Sequence, residues 1–142
     1  MVYEQIRIVL SNDLSEIAKL HRELEIFGQK CSLTPKTLFE LNLILEELLA
    51  NVVSYAYGDN QRHEIVVQAD LRDGELVIKV EDDGRAFNPL QSPPPDLERP
   101  LEQRKVGGLG VHLVRELTNS IEYERKDGKN FLVVRKRIED PR

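Results

Sequence analysis

The stretch VIKVEDDGRAFNP (residues 77–89) changes character at its centre. In the first half apolar Ile78 and Val80 alternate with Lys79 and Glu81, the period of a strand with one face in a core. Asp82 and Asp83 then arrive together, Gly84 follows, and the apolar pattern stops. A hairpin corner would account for an Asp-Gly pair. The chain does not return in a second strand, however. It enters residues 88–106, a run of 19 that is rich in proline and charge and contains SPPPD. Unstructured connections longer than ~12–15 residues are usually functional lids or disordered segments.

Working outward from this point, the patterns define the elements of one domain. QIRIVL places Ile6, Ile8 and Leu10 at period two, an opening strand. SNDLSEIAKLHRELEIFG follows with cap-forming Ser11, Asn12 and Asp13, a helical stripe of Leu14, Ile17, Leu20, Leu24 and Phe27, and Gly28 as its expected stop. The next helix is capped by Thr34, has Pro35 at its first position and meets no breaker before Gly58. Its stripe is Leu38, Leu41, Leu45, Leu48, Leu49, Val52, Val53 and Ala56. EIVVQADL and ELVIKVED form two strands joined by RDG, and two last strands around SIEYERK and NFLVVRKRI meet across DGK. Between the long loop and these last strands, GGLGVHLVRELTN reads as a glycine-rich entry into a short helix.

The order is strand, helix, helix, two strands, loop, helix, two strands. Tightly joined strand pairs imply an α+β fold, a two-layer α/β sandwich with a mostly antiparallel sheet and the helices on one face. At 142 residues this is one domain, 1–142, without internal repeat.

Composition narrows the function. Twenty basic residues against 25 acidic ones give a net charge of −5, which argues against a general nucleic-acid binder. The basic tract RKDGKNFLVVRKR has its charges interleaved with apolar residues and reads as a solvated hairpin face. No run approaches the ~18 apolar residues of a membrane span, and no signal peptide is visible. Cys31 stands alone, so a reduced, cytoplasmic setting is expected, with this thiol a small packed or surface residue rather than a nucleophile.

Three groups of residues carry candidate chemistry. On the long helix Glu47 and Asn51 are one turn apart, on a face shared with Glu40, Ile44 and Ser54. A carboxylate and an amide oxygen at that spacing suit a hydrated Mg²⁺ or the deprotonation of a hydroxyl, although the pattern alone also describes a solvated helix face. At the strand end, Asp82 can accept a hydrogen bond from an exocyclic amine such as adenine N6 and would reject a carbonyl there. Gly84 permits a sharp turn and the close approach of a ring. After the loop, Gly107, Gly108 and Gly110 lead into a helix whose free N–H groups favour phosphate, with Arg104 and Lys105 upstream adding charge.

Taken in order, EELLAN, DDGRAFNP and GGLGVHLV resemble the N, G1 and G2 boxes of the GHKL (histidine kinase-like) ATPase domain, the Bergerat fold with a mixed, mostly antiparallel sheet. The short form that opens with a strand and a helix resembles the RsbW-type anti-sigma-factor serine kinases. That resemblance implies Glu47 as general base, Asn51 as Mg²⁺ ligand and Asp82 as the adenine-reading acid. It implies nucleotide contacts at Gly84, Ala86, Arg104, Lys105, Gly107, Gly108, Leu109 and Gly110, and residues 88–106 as the lid. The implied reaction is transfer of the ATP γ-phosphoryl group to a serine of an anti-anti-sigma, STAS-type partner, with sequestration of a sigma factor and a possible homodimer. A protein-interaction switch without kinase activity is the alternative. Two departures stand out: Ala86 replaces the second G1 glycine, and Asn130 and Phe131 stand where the family often supplies a threonine to the adenine pocket.

Overall fold

The computed structural model describes residues 3–91 and 108–138. Strand β1 (Tyr3–Ser11) leads through a single 3-10 turn (Leu14–Glu16) into α1 (Ile17–Cys31) and α2 (Pro35–Tyr55). Strands β2 (Glu64–Arg72) and β3 (Glu75–Asp82) follow, then a second 3-10 turn (Pro89–Gln91), α3 (Gly108–Leu117), β4 (Ser120–Lys126) and β5 (Lys129–Arg137). Of the segment expected to form a lid, residues 92–106 lie outside the described residues.

The sheet has the order β1-β2-β3-β5-β4, and all four neighbouring pairs are antiparallel. It thus contains no parallel pair among the described residues, where a mixed but mostly antiparallel sheet was expected. Alternation explains the register. Ile65, Val67, Ala69 and Leu71 of β2 are buried, as are Leu76, Ile78 and Val80 of β3, while the residues between them are only partly covered. These inward side chains form one core with Leu20, Leu24 and Phe27 of α1 and Leu41, Ile44, Leu45, Leu48, Leu49 and Val52 of α2. Each buried branched side chain contributes about 1.5–3 kcal/mol, so a one-residue slip that exposed either row would be prohibitive. The result is two layers, helices against one face of a sheet. No described helix is long and apolar enough to cross a membrane.

The two hairpins use the turn residues their geometry requires. Asp73 and Gly74 have φ of 51° and 77°, and Asp127 and Gly128 have 53° and 76°. Two consecutive positive values mark the tight turn whose twist matches that of paired strands.

Helix α1 departs from expectation. It does not stop at Gly28 but continues to Cys31, and Ser32 closes it in the left-handed region with φ of 54°. Leu33 N–H donates to the Gly28 carbonyl at 2.9 Å, and Ser32 N–H donates to that of Gln29. This hydrogen-bonded end satisfies terminal carbonyls without a glycine at the cap. Gly28 is there for packing: an added Cβ would lie 3.1 Å from Leu38 Cδ1, so the glycine lets α1 approach α2. Helix α2 behaves as read, with Thr34 Oγ1 accepting from Thr37 N–H at 3.1 Å and Pro35 opening the first turn.

Lys136 fastens the far end of the domain. Its ammonium donates to Glu40 at 3.3 Å and to the Leu117 carbonyl at 2.7 Å, joining β5, α2 and the end of α3. Glu40 is therefore engaged in structure, and Ser54 is exposed, so neither joins the Glu47 face as a site residue. Ile44 belongs to the core.

Candidate active site

Helix α2 is the element that brings the separate boxes together. At its C-terminal end an added Cβ on Gly84 would overlap the Ala56 carbonyl oxygen and lie 2.6 Å from Ala56 Cβ. The Arg85 N–H donates to that carbonyl at 2.8 Å, and Arg85 Nε donates to the Tyr55 carbonyl at 2.8 Å. The rings of Tyr55 and Phe87 stack with centroids 5.1 Å apart. Two turns earlier, an added Cβ on Gly110 would fall on Glu47 Oε2. From Glu47 to Ala56 the helix rises about 14 Å. Both glycine-bearing segments therefore rest on one helix, with Asn51 between them.

Glu47 and Asn51 are poised differently. Burial holds the Glu47 carboxyl above the ordinary glutamate value, and the adjacent Glu46 charge pushes the same way. Glu46 itself pairs with His21 of α1. Asn51 is buried, and its Nδ2 donates to the Glu47 carbonyl at 2.9 Å. That bond uses the donor end of the amide and leaves the oxygen as its accepting end. One carboxylate and one amide oxygen on a single helical face form a hard-oxygen donor set. Such a set fits Mg²⁺, which takes few protein ligands and keeps its waters.

Asp82 ends β3 on the core side of the sheet and is only 4% exposed. Its Oδ1 accepts from Gly84 N–H at 2.9 Å and from Asn130 Nδ2 at 2.9 Å. Burial lifts its carboxyl above the ordinary aspartate value, those two hydrogen bonds oppose the rise, Asp83 adds to it, and Arg125 counters it. A buried carboxylate with one oxygen already saturated can direct the other at a donor on a ligand.

Asp83 points elsewhere. It is exposed, and it accepts from His63 Nδ1 at 3.1 Å, while His63 Nε2 meets Asp59 at 2.8 Å. The Asp59 hydrogen bond chiefly raises His63 above the ordinary histidine value, burial opposes this, and the charges of Asp59 and Asp83 add to it. His63 stacks on Tyr57 at 4.3 Å, and burial, with Asp82 and Asp83 nearby, raises the Tyr57 hydroxyl.

Ala86 does not need to be glycine. It is exposed and is not among the described residues with positive φ, so the turn accommodates its Cβ. Gly84 likewise has no positive φ, and its requirement is the contact with Ala56 rather than a sharp turn. Gly108 opens α3 and Gly110 is buried against Glu47. Arg104, Lys105 and Gly107 lie outside the described residues, as does the side chain of Leu109. His112 is half exposed and sits 3.7 Å from Glu116. Cys31 is buried, with its thiol pushed up to about 11 by burial first and the Glu4 charge second, which makes it a packing residue.

Two residues escaped the sequence reading. Tyr123 hydroxyl and Arg125 Nη1 both donate to Asn130 Oδ1, at 2.5 and 3.2 Å, and Arg125 also donates to the Gly84 carbonyl at 2.6 Å. Their shared face on β4, two residues apart, was the available signal.

A model of the histidine kinase-like ATPase domain matches residues 10–136. The serine/threonine-protein kinase BtrW of Bordetella bronchiseptica is 34% identical over 98 residues, 68% of each chain. The serine-protein kinase RsbW of Oceanobacillus iheyensis is 25% identical over 97 residues, 66% of this chain and 61% of that one. That of Bacillus mycoides is 29% identical over 100 residues, 68% and 62% respectively. The match thus spans less than two thirds of these RsbW sequences. Among solved structures, the RsbU and RsbW domains of Rv1364c from Mycobacterium tuberculosis superpose with a TM-score of 0.69 at 15% identity, covering 95% of this chain and 32% of that chain. At such identity the likeness concerns the fold.

Proposed function

Because the chain belongs to the histidine kinase-like ATPase domain family, we propose that it is an ATP-dependent serine protein kinase and anti-sigma factor of the RsbW type. Its substrate is a serine of an anti-anti-sigma, STAS-type partner, and the setting is the cytoplasm. The kinase names of the relatives support this reading. So does one structural observation above the others: α2 contacts both glycine-bearing segments, at Ala56 with Gly84 and at Glu47 with Gly110. Residues 1–142 act as one nucleotide-binding domain.

In this reading Asp82 accepts the exocyclic amine of adenine, and the free N–H groups at the start of α3 receive phosphate oxygens. Glu47 accepts the proton of the attacking serine hydroxyl as the new bond from Oγ to the γ-phosphorus forms and the bond to the bridging oxygen of ADP breaks. Burial helps here, because a carboxylate held above its ordinary value is a stronger base. Mg²⁺, held by the Asn51 oxygen with Glu47 beside it, would supply charge neutralisation for the phosphates.

The test is phosphate transfer from Mg-ATP to a purified serine-bearing partner. Glu47→Gln is expected to lower transfer by roughly 100-fold or more while nucleotide binding persists. Transfer at the wild-type rate in Glu47→Gln would remove the base assignment. Nucleotide binding without transfer to any partner would favour an interaction switch.

A further inference from the structure

Asn130 occupies a place in the hydrogen-bond network where its amide can point only one way. Nδ2 donates to Asp82 Oδ1 at 2.9 Å and to the Arg85 carbonyl at 2.8 Å. Oδ1 accepts from Tyr123 hydroxyl at 2.5 Å, Arg125 Nη1 at 3.2 Å and Phe87 N–H at 3.4 Å. A guanidinium and a backbone N–H are obligate donors, and a carbonyl is an obligate acceptor. Turning the amide over would set donor against donor on one side and acceptor against acceptor on the other. Asn130 is itself buried, with 3% exposure, so such a mismatch would have no water to relieve it.

The fixed amide has a consequence for Asp82. Its Oδ1 accepts two hydrogen bonds, from Asn130 and from Gly84 N–H. Both lone-pair directions on that oxygen are used, so any proton on the carboxyl must sit on Oδ2. Oδ2 takes neither bond and is the oxygen left for a ligand. Ionised, it can only accept.

We propose that Asn130, oriented by Arg125, Tyr123 and the Phe87 backbone, is a positioning residue that fixes Asp82 as an acceptor and thereby sets preference for a 6-amino over a 6-oxo purine. The proposal rests on the reading of Asp82 as the base-recognising acid. It gives Asn130 the task of keeping that carboxylate ionised and aimed. Other charged or titratable groups around Asp82 are Asp83, which disfavours ionisation, Arg125, which favours it, and Tyr57, with His63 beyond Asp83. Removing the Asn130 donor leaves burial and Asp83 less opposed, so protonation of Asp82 moves to higher pH.

The experiment is calorimetric titration of the full chain with Mg-ATP and Mg-ITP over a pH series, for wild type, Asn130→Leu, Arg125→Met and Asp82→Asn. Wild type is expected to prefer ATP. In Asn130→Leu that preference should fall about 10-fold or more, and ATP binding should weaken at a higher pH than in wild type. A folded Asn130→Leu protein with unchanged preference and an unchanged pH profile would overturn the proposal. If Asn130→Leu does not fold, Arg125→Met decides. A smaller change in the same direction supports the positioning role, and no change in either readout overturns it. Wild-type indifference between ATP and ITP, or wild-type ATP affinity in Asp82→Asn, would instead overturn the assignment of Asp82, and the proposal with it.

Discussion

Strand β3 is bracketed by two Asp-Gly pairs, Asp73-Gly74 before it and Asp83-Gly84 after it, and they obey different physics. At the first, both residues have positive φ, and an added Cβ on Gly74 would find only Arg137 Nη1, at 3.9 Å. Backbone conformation is the constraint there. At the second, Gly84 has no positive φ, and an added Cβ would overlap the backbone of Ala56. Proximity is the constraint there. The acids diverge as well: Asp73 is exposed on a turn, whereas Asp82, beside the second pair, is buried and doubly hydrogen-bonded. The same two letters mark a corner in one place and a helix docking point in the other.

Substitutions should separate these cases most sharply at Gly84. Gly84→Ala places a methyl group against a carbonyl that cannot rotate away, and overpacking of this kind costs about 1–3 kcal/mol or more. We expect a loss at the upper end of that range by urea denaturation, together with loss of ATP binding, because α2 and the Asp82 loop must part. Retained stability and affinity would break the comparison.

Asp82→Asn should act on binding more than on folding. Asparagine keeps the Oδ1 acceptor for Gly84 and Asn130 but puts a donor where the ligand needs an acceptor, so ATP affinity should fall roughly 100-fold. Stability should move the other way. The folded-state value of Asp82 lies above its unfolded one, so its favourable contribution is complete only below the ordinary 3.8 and is lost as pH rises through the folded value. The variant should therefore resist urea better than wild type at neutral pH, with the gap closing as pH falls towards 3.8.

Gly74→Ala should cost about 1–2 kcal/mol through left-handed strain and leave ATP affinity untouched. Gly74→Asn should recover much of that loss, a rescue that Gly84→Asn cannot show. The smallest effect is expected for Ala86→Gly. Restoring the glycine at this exposed position should leave ATP affinity as it was and lower stability by less than about 1 kcal/mol, through the freer unfolded chain.

Much of this was legible from one sequence, and the contrast between the two glycines shows where legibility ended. Period-two runs such as EIVVQADL and the leucine stripe of α2 are local, and burial of each side chain follows from its neighbours. Glu47, Asn51 and Asp82 stand out as candidates because unusual polar groups interrupt or border those runs. Gly28 was misread because a glycine near a helix end ordinarily terminates it, whereas its contact with Leu38 comes from another helix. Of the Asn130 network, only the shared β4 face of Tyr123 and Arg125 was legible. The rest depends on the pairing of Asp82 with Asn130 and of Asn130 with Arg125, the first across 48 positions of chain.

The aromatic side chains around Asp82 have a practical consequence. The chain has no tryptophan and four tyrosines. Tyr55 stacks on Phe87, Tyr57 stacks on His63, and Tyr123 donates to Asn130. Three of the four tyrosines are thus tied, directly or through one residue, to the Asp82–Asn130 pair, so the tyrosine emission of the unlabelled protein is weighted towards that neighbourhood. A change there on adding nucleotide will be seen against little background from the rest of the molecule.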